Sequence, residues 1–337
     1  MMNENQYLER VATLPGADAD AIEAATIRQQ QLTKPAGSLG KLEDIAVWMA
    51  GWQGTERPCL NAPSCLIFAG NHGVTAQGVS AFPAEVTAQM VANFTHGGAA
   101  INQLCRAAGA ALIVEAIDLD NPTADFTHAP AMTTEETLAA MATGAACIPE
   151  NTDLILVGEM GIGNTTAAAA IAHAVFDGSI ESWVGRGTGV DDDGLKRKAD
   201  AIHRGREVNK DQLNSGLGIL SAFGGREMAA IAGVVLEARH RHIPVLLDGF
   251  ISTASALPIY VDNRAALDHC MISHRSAEPG HSLIIEHTGL EPLLELNLRL
   301  GEGSGAATAL PVVRAAVETH SSMATFAEAG VAGASEE

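Results

Sequence analysis

Short runs of consecutive apolar residues, each closed by glycine or an acid and then followed by a helical pattern, recur along the chain. "SCLIFAGNHGV" (64–74) is an apolar run ending in Gly-Asn-His-Gly, and "AALIVEAIDLD" (110–120) is one ending in acids. "DLILVGEMGIGNTTAAAAIAHAV" (153–175) reads as strand, glycine loop and Ala-rich helix, and "IPVLLDGFISTASALPIY" (243–260) as strand, short loop and helix. "DHCMISHRSAEPGHSLIIEH" (268–287) repeats the theme, and "GGREMAAIAGVVLEARHR" (224–241) is a helical stretch between two such units. Strands without polar alternation, separated by helices, predict a parallel sheet buried on both faces. The expected fold is therefore α/β, a Rossmann-like parallel sheet flanked by helices. Ligands in such sheets bind outside the carboxyl ends of the strands, so the loops of interest start at Gly70, Gly158 and Asp248.

The two ends have a different pattern. Residues 4–32 read as helical with a break at Pro15-Gly16, and Ser38 is a candidate cap for a helix carrying Ile45, Trp48 and Met49. "EPLLELNLRL" (291–300) reads as a helix with Leu290, Leu293, Leu294 and Leu298 on one stripe and a Glu295–Arg299 pair on the other face. A further helix is expected after the glycines at 301–305, with Pro311 in its first turns or kinking it. These ends predict a smaller helical domain, residues 1–60 and 289–337, beside a large α/β domain, 61–288. The final "AEAGVAGASEE" reads as a frayed end.

Composition narrows the function. Of the 337 residues, 47% are hydrophobic and 18% charged, as in a well-buried globular protein, and the formal net charge is −20. Such a balance excludes a large nucleic-acid footprint and an anionic membrane surface as partners. It leaves room for a small anionic ligand held by backbone N–H groups. The five cysteines include no CxxC pair, which predicts reduced thiols in a cytoplasmic protein. The polar N-terminus shows no signal segment, and no apolar run approaches the roughly 18 residues of a membrane span.

Four stretches invite chemistry. In "GEMGIGNTT" (158–166), Gly158, Gly161 and Gly163 permit close approach of a ligand, and Asn164, Thr165 and Thr166 open a helix. That is either a phosphate nest or a glycine turn with a threonine cap. Glu159 would repel a phosphate, so it either faces a hydroxyl or N–H or is a solvated loop acid. "VGRGTGVDDDGLKRKADAI" (184–202) is a second glycine loop, with Arg186 inside it and Lys196, Arg197 and Lys198 beyond, a phosphate partner or a solvated helix face. His72 is a catalytic imidazole or a loop-satisfied histidine, with no acid at a suitable spacing, and "RHRH" (239–242) reads as surface. In "LRLGEGSGAATALP" (298–311), Glu302 stands between glycines where a helix connection needs only one. Either a ligand approaches there or the turn is merely flexible. HExxH, GxSxG and Cys/His spacings are lacking, which argues against metal hydrolysis and acyl-enzyme chemistry.

Several stretches coincide with one family. "KPAGSLGKLE" (34–43), "NHGV" with "GVSAFP" (71–83), "GEMGIGNTT" (158–166), "PVLLDGF" (244–250), "SAEPG" (276–280) and "RLGEGSGAA" (299–307) stand in order along nearly the whole chain. Together they resemble the nicotinate-nucleotide–dimethylbenzimidazole phosphoribosyltransferases of cobalamin assembly.

The resemblance implies transfer of the 5-phosphoribosyl group of nicotinate mononucleotide to 5,6-dimethylbenzimidazole, giving α-ribazole 5′-phosphate and nicotinate. It implies a homodimer with no cofactor and no metal. By matched position Glu302 is the expected general base, and Glu159 binds or orients substrate. The loops with Gly161, Gly163, Asn164, Thr165 and Gly187 form the expected phosphate and ribose cradle, with Lys198 and Ser276 as further candidates. Phe82, Met90 and Leu300 fall where the family lines the slot for the flat base. Asn71 stands where the family often has Asp, and Phe82 and Met90 replace more polar residues, which predicts tolerance of other bases such as benzimidazole or adenine. Two rival readings remain. A nucleotide-dependent oxidoreductase predicts GxGxxG after the first strand, which "AGNHGV" lacks, and a non-catalytic nucleotide sensor has no use for Glu302.

Overall fold

The computed structural model describes residues 2–332. Six parallel strands form one sheet: β1 (Pro63–Ala69), β2 (Ala111–Ala116), β3 (Leu154–Met160), β4 (Val245–Leu247), β5 (Cys270–His274) and β6 (Pro292–Leu294). Their spatial order is β2-β1-β3-β4-β5-β6, all pairs parallel. The α/β expectation is met, and each of the five apolar runs contains a strand.

Alternation of side chains sorts the strands into two cores. Leu66, Phe68, Ile155, Val157, Val245 and Leu247 face one layer, which includes the helices Thr134–Ala146, Asn164–Phe176, Gly216–Phe223, Arg226–His240 and Phe250–Asp262. Cys65, Ile67, Leu154, Leu156 and Leu246 face the other, built on Lys41–Gln53, Ala100–Ala108 and Ser304–Ser322. Every residue of β1 is buried. This is why the central runs show no polar alternation.

The chain ends meet. Leu32 bridges Thr325, the Thr33 amide donates to the Ala324 carbonyl at 3.1 Å, and buried Arg28 donates to the carbonyls of His320 and Met323. The helix Glu4–Ala12 packs elsewhere, with Tyr7 Oη donating to Asp262 at 2.7 Å and Arg10 pairing with Glu237. Among the described residues no helix is long and apolar enough to cross a membrane.

Four local expectations need correction. Residues 291–300 are not a helix. Leu293 and Leu294 lie in the edge strand β6, where Pro292 is tolerated because edge strands need fewer ladder bonds. A short leucine-rich run has no periodicity that separates the two outcomes, and Asn297 then turns the chain with φ +56°. Glu295 consequently pairs with Arg275 at 2.9 Å rather than with Arg299. The helix Lys41–Gln53 is preceded by Gly40, without a side-chain cap from Ser38. Arg239 of "RHRH" is buried over the Trp52 ring and donates to the Pro15 carbonyl. The frayed-end expectation falls partly on 333–337, outside the described residues; Phe326–Ala329 is a short helix. Pro311 lies inside the helix Ser304–Ser322, as expected.

Candidate functional site

The strand order reverses between β1 and β3, and a crevice opens beside such a switch point. A cleft of about 280 Å³ lies there, outside the carboxyl ends of β3, β4 and β5. A larger cavity of about 720 Å³ lies between 122–136 and 211–218 and contains none of the residues that close the strands.

Each wall of the cleft comes from a loop that a strand delivers. β3 presents Glu159 and then Gly161, Asn164 and Thr165. The turn ends at Gly163, whose φ of +98° starts the helix Asn164–Phe176 without a side-chain cap, so no threonine caps it. Asn164 Nδ2 instead donates to Glu159 Oε2. β4 ends at Asp248, and β5 leads to His274, Ser276 and Glu278. The fourth wall is Arg299, Leu300, Gly301 and Glu302, and the rim carries Gly187, Thr188 and Phe82.

Glu302 occupies a strained turn. Gly301, Glu302 and Gly303 have φ of +79°, +60° and +72°, three consecutive left-handed residues. A side chain at 303 would lie 3.0 Å from Ile67 and 3.2 Å from Cys65, and one at 158 would collide with the Gly303 backbone. The glycines therefore serve backbone geometry and packing on β1 and β3 as well as openness. A non-glycine residue held at such φ typically marks a functional site.

Asp248 fixes that turn. It is 1% exposed; Oδ2 accepts from the Gly303 amide at 3.2 Å and Oδ1 from the Ala306 amide at 2.9 Å. His274 Nδ1 lies 3.8 Å from Oδ1. The sequence marked Asp248 only as the start of a loop, because the amides it anchors lie more than fifty residues away.

The acids share a field. Burial pushes the Glu159 carboxyl well above its ordinary range, and the charges of Asp248, Glu227 and Glu302 add to this, while Asn164 opposes it. Burial also raises Asp248, against the pull of His274 and of the Ala306, Gly305 and Gly303 amides. Glu302 is pushed up to about 7, mainly by burial and then by Asp248. A carboxyl tuned near neutrality in a cleft suits a general base.

The second glycine loop is held from beneath. Glu278 Oε1 accepts from the Gly187 amide at 3.0 Å, and Arg299 Nη1 donates to the Gly187 carbonyl at 3.3 Å. Lys198 is buried behind this loop. Its Nζ donates to Thr165 Oγ1 and the Gly185 carbonyl, both at 3.0 Å, and burial lowers its pKa to about 8. Lys196 and Arg197 are exposed, and Arg186 turns away to Asp192 and the Val190 carbonyl.

Of the residues picked from the sequence, Glu302, Glu159, Gly161, Asn164, Thr165, Gly187, Ser276, Phe82 and Leu300 converge on this cleft. Gly163 and Lys198 stand behind its wall. Met90 lies half-buried on the helix Glu85–Thr95 against the second core and does not line the cleft. Arg299, Asp248, His274 and Glu278 were missed as site residues; for Arg299 the helical reading assigned its charge to Glu295. His72 does have an acid partner, Glu227, at 2.5 Å, contributed from 155 residues away.

This arrangement sets an ionisable carboxyl against a helix N-terminus and two glycine loops in the strand-end cleft of an α/β protein. The chain belongs to the family described as Phosphoribosyltransferase, whose model matches residues 14–331. It is 56% identical over 326 residues to the nicotinate-nucleotide–dimethylbenzimidazole phosphoribosyltransferase of Ruegeria pomeroyi, covering 97% of this chain and 96% of that one. It is 58% identical to the protein of the same name from Novosphingobium aromaticivorans, covering 95% and 94%. A crystal structure of CobT from Thermus thermophilus superposes with a TM-score of 0.86 at 42% identity, covering 93% of this chain and 99% of that one.

Proposed function

We propose that this chain moves the 5-phosphoribosyl group of nicotinate mononucleotide to 5,6-dimethylbenzimidazole, releasing nicotinate, with Glu302 as general base. In the donor the leaving nitrogen is a cationic pyridinium. It takes the C–N bonding pair and departs neutral, so it needs no acid. One benzimidazole nitrogen attacks the anomeric carbon from the opposite face, inverting β to α. The cation so formed loses the proton of its second nitrogen to the Glu302 carboxylate, and α-ribazole 5′-phosphate results. Such a base is typically worth about 10²–10⁴ in rate.

The binding roles follow from position. The N-terminus of the helix Asn164–Phe176, with Gly161 and Thr165, faces the cleft as an anion site, and Gly163 shapes the turn behind it. Gly187, Lys198 behind it and Arg299 beside it complete the phosphate end. Glu159, in the neutral form its surroundings favour, and Ser276 are placed for ribose or base N–H and hydroxyl groups. Phe82 and Leu300, about half exposed at the rim, receive the flat base; Met90 stands outside this slot. Broad base use with 5,6-dimethylbenzimidazole preferred is part of the proposal, and strict exclusion of unmethylated benzimidazole in competition assays would remove it.

The observation that carries the reading is the shared cleft of Glu302, its amide-anchoring Asp248 and the Gly161–Thr165 helix start. Incubation with both substrates should release nicotinate, and Glu302→Gln should bind both and turn over far more slowly. We further propose a cytoplasmic homodimer without nucleic-acid partner, in which helices from the two ends, within 1–60 and 289–337, pair beside 61–288, while β6 joins the sheet and Glu4–Ala12 packs on the larger part; the Arg28–His320 and Thr33–Ala324 contacts support that pairing of ends. Light scattering on the full chain tests the dimer.

A further inference from the structure

Beneath the glycine loop of β3 lies a buried pair to which no role is assigned above. His72 Nε2 and Glu227 Oε1 are 2.5 Å apart, with side chains 2% and 0% exposed. His72 comes from the loop after β1, and Glu227 from the first turn of Arg226–His240, where the helix N-terminus favours a carboxylate. Among the described residues Glu227 Oε2 has no hydrogen-bond partner, although it is buried.

Three loops close on this pair, and each does so with a glycine. A side chain at Gly161 would lie 3.1 Å from Glu227 Oε1 and 3.3 Å from His72 Nε2. One at Gly70 or at Gly225 would collide with Glu227 Oε2, and one at Gly163 would lie 3.3 Å from His72 Cβ. The Gly70 amide also donates to the Met160 carbonyl at 3.0 Å, tying the two loops. Glu227 is near enough to Glu159 for its charge to favour the neutral Glu159 carboxyl. A buried pair of polar side chains is an expensive way to stabilise a fold, but their hydrogen bond is a rigid way to set the height of a loop.

We propose that His72 and Glu227 are positioning residues for the phosphoribosyl donor: their hydrogen bond is the floor on which Gly161–Gly163 rests, and it sets the backbone N–H groups that meet the donor. The inference rests on the donor occupying the 158–166 loop, as proposed above. The acceptor base lies against Leu300 and Phe82, away from this floor, so the two substrates respond differently.

The test compares two polar replacements of His72 that differ in reach. Gln places a donor near the position of Nε2; Asn cannot reach Glu227. His72→Asn should raise the KM for nicotinate mononucleotide about tenfold, with the KM for 5,6-dimethylbenzimidazole within about twofold, and His72→Gln should restore the donor KM to within about threefold. Glu227→Asp, whose shorter side chain falls short of His72 Nε2, should behave like His72→Asn and serves if that variant does not fold. A merely structural role lowers the active fraction and moves neither KM. Unchanged donor KM in His72→Asn, or a parallel rise in both KM values, would overturn the proposal. Thr165→Val separates the premises: a raised donor KM there with unchanged His72→Asn rejects the floor alone, whereas unchanged donor KM in both rejects the donor placement as well.

Discussion

The Asp248 carboxylate accepts the amide of Ala306 at 2.9 Å. One residue belongs to the end of β4 and the other to the first turn of the helix Ser304–Ser322. With the Gly303 amide on its second oxygen, Asp248 does for this helix what an N-cap side chain does, but from another segment. The turn that leads into those two amides includes the strained Glu302, so the orientation of the base depends on Asp248. Hydrogen bonds to a charged group are worth about 1.5–3 kcal/mol. Asp248→Asn should therefore lower kcat by roughly 10- to 100-fold, lower the melting temperature, and leave both KM values nearly unchanged. Steady-state kinetics and a thermal melt check this; an unchanged kcat would free Glu302 from that anchor.

Removal of the base itself gives a larger effect. Glu302→Gln preserves size and the left-handed backbone while abolishing proton acceptance. A kcat lower by about 10²–10⁴ is expected, with nicotinate mononucleotide still bound in titration calorimetry. Wild-type turnover would dismiss Glu302 as the base.

The pH profile follows from the same residue. With its pKa near 7 in the ligand-free protein, Glu302 is half ionised at neutrality and mostly ionised above it, so kcat/KM rises with pH up to about 7 and then levels. Stability runs the other way. The folded protein holds this proton more tightly than the unfolded chain, whose carboxyl titrates near 4.5. The resulting stabilisation is complete below that value and is lost as pH rises through about 7. Between pH 5 and 8 the wild type should lose melting temperature relative to Glu302→Gln, and parallel curves would contradict the raised pKa.

Lys198 adds an alkaline limit. Its folded pKa of about 8, against 10.5 ordinarily, means that the charge behind the Gly187 loop fades as pH passes 8. The KM for nicotinate mononucleotide should rise above that pH. Lys198→Met should raise it about tenfold, the scale of a lost charge-assisted hydrogen bond, and abolish the alkaline rise.

At the rim, Phe82 and Leu300 offer apolar area to the acceptor. At about 25 cal/mol per Å², covering 50–100 Å² contributes roughly 1–2.5 kcal/mol. Phe82→Ala and Leu300→Ala should each raise the KM for 5,6-dimethylbenzimidazole about tenfold and leave the donor KM unchanged. A shift in the donor KM instead would place the base elsewhere.

Much of this was legible in the chain itself. The parallel sheet followed from uninterrupted apolar runs such as 65–69 and 154–157, because strands buried on both faces lose polar alternation. Glu302 and the 158–166 loop were legible because glycines in excess of a turn's needs mark unusual backbone, and their family likeness supplied a reaction. What the tertiary structure decided are relationships between distant segments. Leu293 and Leu294 became an edge strand because β5 offered a free edge, not because of their spacing. Arg299 was thereby released from Glu295 into the cleft. Asp248 found amides of a helix some fifty residues later, and His72 found Glu227 at 155 residues' remove. Local pattern reflects what a residue does with its neighbours along the chain. Hydrogen bonds, burial and the pKa values they set depend on neighbours in space, and only the closed fold brings those together.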